Sequence, residues 1–152
     1  MAYWLLKSEP SVFSIDDLQK RRTSLWDGVR NYQARNFMRD MKAGDQALFY
    51  HSSCPEPGIV GVMSIAKPAY PDPTQFNPES PYYDPKSPQD KPHWDGIDVS
   101  FSEKFSSVLS LTELKAVESL SRLALVQKGS RLSVMPVNAT EWKTILKLAK
   151  RS

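Results

Sequence analysis

A proline-rich, aromatic stretch from Pro68 to residue 95 constrains the fold of this chain more than any other feature. Most of the twelve prolines of the chain lie within it. Because proline fixes φ and lacks a backbone N–H, the stretch cannot form the interior of a helix or a central strand. It also carries the side chains Tyr70, Phe76, Tyr82, Tyr83, His93 and Trp94. Disordered linkers are poor in aromatic residues, so we predict a long, ordered loop over residues 68–95 that packs onto the domain.

The residues around this loop show the patterns of strands. Aromatic and aliphatic side chains run through residues 2–7 and stop before Pro10, which predicts a buried strand. Residues 97–105 alternate between apolar and polar side chains, which predicts a half-buried strand. Three further strands are expected, over residues 45–52, 58–66 and 130–137.

Capping motifs predict where three helices begin. The motifs start at Ser14, Ser110 and Asn138, and we expect the first two helices to end near Lys20 and Leu120. Strands and helices do not alternate regularly, so a doubly wound parallel sheet is disfavoured. The pattern indicates an α+β fold, with a small curved sheet or barrel surrounded by helices.

The composition restricts the class of protein. Hydrophobic residues make up 40% and charged residues 24%, which is typical of a globular protein, and we expect one domain over residues 1–152. We find neither a signal peptide nor a stretch near the roughly 18 apolar residues of a membrane span. A monomer is expected, without a membrane partner, cytoplasmic in a bacterium or nuclear in a eukaryote. The net charge of +3 favours anionic partners only weakly.

Motifs of common enzymes are missing from the sequence. It contains no phosphate-binding glycine loop, no nucleophile elbow and no zinc-protease motif. His51 and Ser52 are neighbours on a predicted strand, so their side chains point to opposite faces and do not form a catalytic pair. With one cysteine and two histidines, a metal centre is also not expected. We therefore expect no catalytic residue, no metal and no cofactor.

The segment from Trp26 to Asn36 is the richest in candidate binding residues. Apolar residues at helical spacing predict an amphipathic helix over residues 31–42, with Gly44 near its C-cap. Arg30 directly precedes the N-terminus of this helix, where free backbone amides favour the binding of phosphate. A polar and basic stripe follows on the helix, formed by Asn31, Arg35 and Arg39. A solvated helix face and a core tryptophan are the alternative interpretations.

Trp26, Trp94 and several tyrosines fall in predicted loops, where no strand or helix period forces them inward. Proteins that bind unpaired or flipped bases stack them on aromatic rings and hold the backbone with basic residues. Basic side chains lie at predicted element ends near these loops, namely Lys7, Arg30, Lys128 and Arg131. Together they predict one pocket with a charged rim.

Six segments together resemble the EVE domain family. They are residues 3–10, 26–36, 49–52, 56–61, 69–72 and 131–134, and the resemblance extends over essentially the whole chain. It implies a PUA-like fold, which is a curved mixed β-barrel flanked by helices, and a more distant similarity to YTH readers of methylated adenine in RNA. Members of the family are described as binders of modified bases, notably modified cytosines in DNA.

The resemblance also implies roles for individual residues. Lys7 and Ser8 match the strand end that meets the nucleotide in YTH-type pockets, while Trp26 matches the first cage aromatic and Trp94 supplies a second ring. Glu9 stands where the YTH pattern has Asn, so it either accepts a hydrogen bond from an exocyclic amine or only ends the strand.

The leading hypothesis is therefore a non-catalytic reader of a modified base in DNA or RNA, with modified cytosine in DNA favoured. In this hypothesis Ser8, Glu9, Trp26, Asn31 and Trp94 contact the base, while Lys7, Arg30 and Arg131 hold phosphate. An RNA- or tRNA-binding module of PUA type without modification selectivity is the alternative. A binder of free nucleotides or other small molecules is also compatible with the low net charge.

Overall fold

A computed structural model describes residues 1–150; residues 151 and 152 of the expected domain lie outside the described part. Six strands form one mixed sheet: β1 (Tyr3–Ser8), β2 (Thr23–Trp26), β3 (Gln46–His51), β4 (Gly58–Pro71), β5 (Asp95–Ser110) and β6 (Val134–Val137). Four helices accompany them: α1 (Ile15–Arg21), α2 (Tyr32–Asp40), α3 (Leu111–Lys115) and α4 (Ala139–Ala149). The α+β prediction is confirmed.

The sheet has the strand order β2-β5-β4-β3-β1-β6. Strand β1 runs parallel to β3, and the other neighbouring pairs are antiparallel. Within residues 1–150 no ladder joins β2 to β6, so the sheet does not close into the expected barrel. None of the helices in this range is long and apolar enough to cross a membrane.

Both faces of the sheet are buried. Trp4 and Leu6 of β1 belong to the apolar cluster that α1 and α2 cover, whereas Leu5 belongs to the cluster under α4. Because side chains alternate along a strand, each central strand contributes residues to both clusters. This explains why the central strands have nearly continuous apolar sequences.

Several element boundaries differ from the sequence-based expectations. Helix α2 ends at Asp40 with Met41 as its C-cap, while Gly44 lies in the following turn. The helix expected to reach Leu120 stops at Lys115 and is followed by 3-10 turns at Glu118–Leu120 and Ala124–Val126. Both capping boxes at α1 and α4 are present.

The proline-rich loop is ordered, as expected, but shorter at its beginning. Strand β4 continues through Pro68 to Pro71, and the pairing with β5 shifts register between Lys67 and Tyr70, where a proline is tolerated. From there to Trp94 the loop folds around the buried Gln75. Its amide nitrogen donates to the carbonyls of Asp72 and Trp94 at 2.7 and 2.8 Å, so the two ends of the loop are joined.

Candidate functional site

A cavity of about 600 Å³ opens where the carboxyl ends of β1 and β2 approach each other. This volume lies within the range of small-molecule binding pockets. Among the predicted binding residues, the structure brings Lys7, Ser8, Glu9, Trp26, Arg30 and Arg131 to its wall. The other two, Asn31 and Trp94, do not line the cavity.

Trp26 forms part of the cavity wall but is mainly a core residue. It is 6% exposed and pairs with Ile97 across the ladder between β2 and β5. Its ring meets Phe49 and Phe13 edge to face, with ring centroids 5.1 and 6.0 Å apart. The expectation that Trp26 lies in a loop was wrong, because a short strand holds it against the core and leaves only a small part of the ring accessible.

Trp94 is buried and does not line the cavity. Its indole stacks on Tyr32 at 4.7 Å, and its Nε1 donates to a carboxylate oxygen of Asp84 at 2.8 Å. The expected cage of Trp26 and Trp94 is therefore not formed. The rings that line the cavity beside Trp26 are those of Phe13 and Tyr82.

Arg30 lines the cavity, but its guanidinium is fully engaged within the chain. The Nη1 group donates to the carbonyl of Val29 and to a carboxylate oxygen of Asp72, both at 3.0 Å. The Nη2 group donates to the Thr74 hydroxyl at 3.1 Å, and both Nη2 and Nε donate to the carbonyl of Tyr82 at 2.8 and 3.1 Å. Since a guanidinium carries five N–H groups, none is left for phosphate in this arrangement. The expected phosphate contact of Arg30 does not agree with this geometry, which makes Arg30 a clamp on the proline-rich loop.

The polar stripe of α2 is likewise used within the chain. The side-chain oxygen of Asn31 accepts a hydrogen bond from the backbone N–H of Ala34 at 2.9 Å, so Asn31 is the N-cap of the helix. Arg35 donates to the carbonyl of His93 at 2.7 Å, and Arg39 forms an ion pair with Asp95. The base contact expected of Asn31 is therefore not supported by its position.

The end of β1 presents three consecutive polar residues to the cavity. The Nζ of Lys7 lies 5.7 Å from the centre of the Tyr50 ring, and partial burial lowers the pKa of Lys7. The Ser8 hydroxyl donates to the carbonyl of Phe13 at 2.7 Å, which ties the following turn to the strand. Glu9 is exposed at the rim.

Three basic residues on the cavity wall form no salt bridge in the described part of the chain. Lys7, Arg21 and Arg131 line it, and none of them forms an ion pair within residues 1–150. A second depression of about 480 Å³ shares Lys7 and carries Lys115 and Lys128. Basic side chains therefore line both depressions, and Lys7 belongs to both.

Sequence reasoning did not select several residues that line the cavity, among them Phe13, Arg21, Asp27 and Tyr82. Tyr82 was noted only as one aromatic of the loop, yet its ring packs against Gly28, where an added Cβ would lie 2.6 Å from the ring. Gly28 has a φ of +77°, so glycine is favoured there for its backbone as well. Asp27 was overlooked beside Trp26, although it lines the cavity. Burial and the nearby Asp72 raise the pKa of Asp27.

Comparisons with known proteins show one protein family. The family model described as the EVE domain matches residues 2–148. Thymocyte nuclear protein 1 from Homo sapiens is 44% identical over 169 residues, which cover 99% of this chain and 75% of that protein. The expected membership is confirmed.

Solved structures agree with this assignment. A protein from Pseudomonas syringae superposes with a TM-score of 0.96 at 57% identity and covers 97% of this chain and 99% of its own. Human THYN1 protein, crystallised in complex with DNA containing 5-methylcytosine, gives a TM-score of 0.93 at 43% identity and covers 100% of this chain and 99% of its own. A YTH domain from Zygosaccharomyces rouxii, 15% identical with a TM-score of 0.54 over 98% of this chain and 86% of its own, shares the fold alone.

Proposed function

This chain belongs to the EVE domain family, and on that premise we propose that it is a non-catalytic reader of a modified base, with 5-methylcytosine in DNA favoured. The observation that carries the proposal is the similarity over the whole chain to human THYN1 protein, which was crystallised with DNA containing 5-methylcytosine. The chain acts as one domain in this proposal and requires no cofactor.

The cavity supports the binding of a base that has left the helical stack. A flipped base is held between apolar or aromatic side chains and recognised through hydrogen bonds to its edge. Trp26, Phe13 and Tyr82 supply the apolar wall. Ser8 and Glu9 supply polar atoms at the carboxyl end of β1, where a base edge would meet them.

The basic residues that form no salt bridge within the described range support the binding of a nucleic-acid strand rather than of a free nucleotide. Lys7, Arg21 and Arg131 line the cavity, and basic side chains also line the second depression, which shares Lys7. A free nucleotide would need cations only beside its own phosphate, whereas a strand passes its neighbouring phosphates over a longer surface. Three phosphate contacts would give a salt dependence of log K on log salt with a slope of about −2 to −3.

The decisive experiment measures binding of the purified chain to matched DNA strands that carry 5-methylcytosine or cytosine at one position. Fluorescence anisotropy at several salt concentrations gives both the preference and the salt slope. We expect tighter binding of the methylated strand. In Arg131→Ala the slope should become less negative by about 0.7 to 0.9, since one phosphate contact is lost.

Other outcomes contradict the proposal. Equal affinity for both DNA strands together with tighter binding of unmodified RNA would favour an RNA-binding module without modification selectivity. Binding that does not depend on salt, with equal affinity for a mononucleotide, would favour a small-molecule site. Chemical change of the oligonucleotide, abolished by a cavity variant, would identify an enzyme.

A further inference from the structure

Recognition of the methyl group alone would leave the proposed reader unable to reject thymine. 5-Methylcytosine and thymine carry the same methyl group at C5 and differ at position 4, where cytosine has an amine and thymine a carbonyl oxygen. This inference rests on the proposed function, because it asks how the same cavity selects its base. A selective cavity needs a hydrogen-bond acceptor that faces position 4 of the base. Thymine is then rejected, because its O4 is also an acceptor and the two oxygens repel each other.

Asp27 is a carboxylate with free acceptor capacity in the cavity wall. It follows Trp26 directly at the end of β2, is partly buried and lines the cavity. Its carboxylate has a hydrogen bond with its own backbone amide, and no other group within residues 1–150 donates to it. Its position and its unused oxygens are those of an acceptor that awaits a ligand donor.

The neighbouring Asp72 shows the opposite arrangement. Its side chain is fully buried and accepts hydrogen bonds from the backbone amides of Gly28 and Thr74, from the Thr74 hydroxyl and from Arg30. Asp72 is therefore saturated and structural. Of these two acidic residues that lie close together, only Asp27 has lone pairs available to a base.

We propose that Asp27 recognises the exocyclic N4 amine of the cytosine base and thereby excludes thymine. Carboxylates are the usual acceptors for cytosine N4 in proteins that bind DNA. Glu9 was the sequence-based candidate for this role, but it is exposed at the rim, where water competes for its oxygens. Asp27 is partly buried, so less water is available there to compensate an unpaired amine or two acceptors that face each other. The free-energy difference between cytosine and thymine is therefore larger at Asp27 than at the exposed Glu9.

The test compares single-stranded oligonucleotides that are identical except for 5-methylcytosine, cytosine or thymine at one position, so that base pairing does not contribute. We expect the wild type to bind the 5-methylcytosine strand about tenfold or more tighter than the thymine strand, as one charge-assisted hydrogen bond allows. Asp27→Asn should bring this ratio close to one, because the amide can turn and donate to the thymine oxygen. Asp90→Asn removes the same charge from an exposed loop position and should keep the wild-type ratio.

The same hypothesis can be tested on the wild-type protein by changing the base, which avoids any effect of a substitution on folding. A strand carrying 5-methylpyrimidin-2-one, which lacks the amine, should bind the wild type about tenfold more weakly than the 5-methylcytosine strand. Equal binding of these two strands, equal binding of thymine, or a wild-type ratio retained by Asp27→Asn would overturn the inference. Loss of the ratio in Glu9→Gln but not in Asp27→Asn would assign the role to Glu9 instead.

The two proposals fail in different ways. A wild type that binds both cytosine strands equally and rejects thymine refutes the reading of the methyl group but supports Asp27 as the group that recognises the amine. A wild type that prefers 5-methylcytosine to cytosine but also accepts thymine supports the reader and refutes the role of Asp27. Failure to bind any strand refutes both.

Discussion

Replacement of Arg30 by alanine separates a structural clamp from a phosphate contact. The change removes every hydrogen bond that joins this guanidinium to Asp72, Thr74 and Tyr82. Removing one partner of a fully buried ion pair costs about 3–5 kcal/mol. Here the arginine side chain is 22% exposed and Asp72 keeps three other donors, so we expect a loss of about 2–4 kcal/mol in the free energy of unfolding.

The assay is thermal unfolding combined with salt-titrated binding. At 2–4 °C per kcal/mol for a domain of this size, a loss near 3 kcal/mol lowers the melting temperature by about 6–12 °C. The slope of log K against log salt should stay at its wild-type value in Arg30→Ala, because no phosphate contact is lost. Arg131→Ala is the matched control, since Arg131 is exposed on the same cavity, and it should show the reverse pattern. An Arg30→Ala protein with the wild-type melting temperature and a flatter slope would refute the clamp and restore the phosphate role.

Two further predictions concern the buried Trp26 and the half-buried His51. Trp26→Ala should lower the free energy of unfolding by about 3–5 kcal/mol in urea titrations, because it removes a large core ring that contacts Phe49; a variant of unchanged stability would show that the ring is not part of the core. His51 should make the fold sensitive to acid, because burial lowers its pKa and its Nε2 accepts a hydrogen bond from the Ile15 amide at 3.1 Å. The unfolded chain then binds the proton more readily, so this contribution is complete above about pH 6.5 and is lost as the pH falls below it. Melting temperatures between pH 7.5 and 5.5 should decrease less steeply in His51→Gln than in the wild type, and equal slopes would contradict this origin.

Local signals in the sequence predicted much of the fold. The capping boxes at Ser14 and Asn138 and the apolar spacing of α2 depend on residues within one or two turns, so they can be read directly. Strand β2 was missed because its four residues carry no alternation of their own and are defined by pairing with β5. The extension of β4 and β5 was missed for the same reason, since a ladder across Pro68 depends on the partner strand.

The site was predictable in its location but not in the roles of its residues. Lys7, Trp26 and Arg131, which were predicted for one pocket, line the same cavity, although Trp26 reaches it from a strand rather than a loop. The role of Arg30 depends on Asp72, which lies 42 residues away, and no local pattern links the two. A basic residue before a helix N-terminus gives the same sequence pattern whether it binds a ligand or a distant carboxylate of the same chain.

Within the segment 26–36, which carries part of the resemblance to the EVE domain family, Gly28 and Arg30 contact the proline-rich loop. Gly28 and Arg30 both donate to the same carboxylate oxygen of Asp72, and Gly28 leaves room for the Tyr82 ring. The loop therefore cannot leave its place without breaking the clamp and removing one wall of the cavity. Rigid prolines and the Arg30–Asp72 ion pair hold the Tyr82 ring against Gly28, so in the proposed function less conformational entropy would be lost when a base binds.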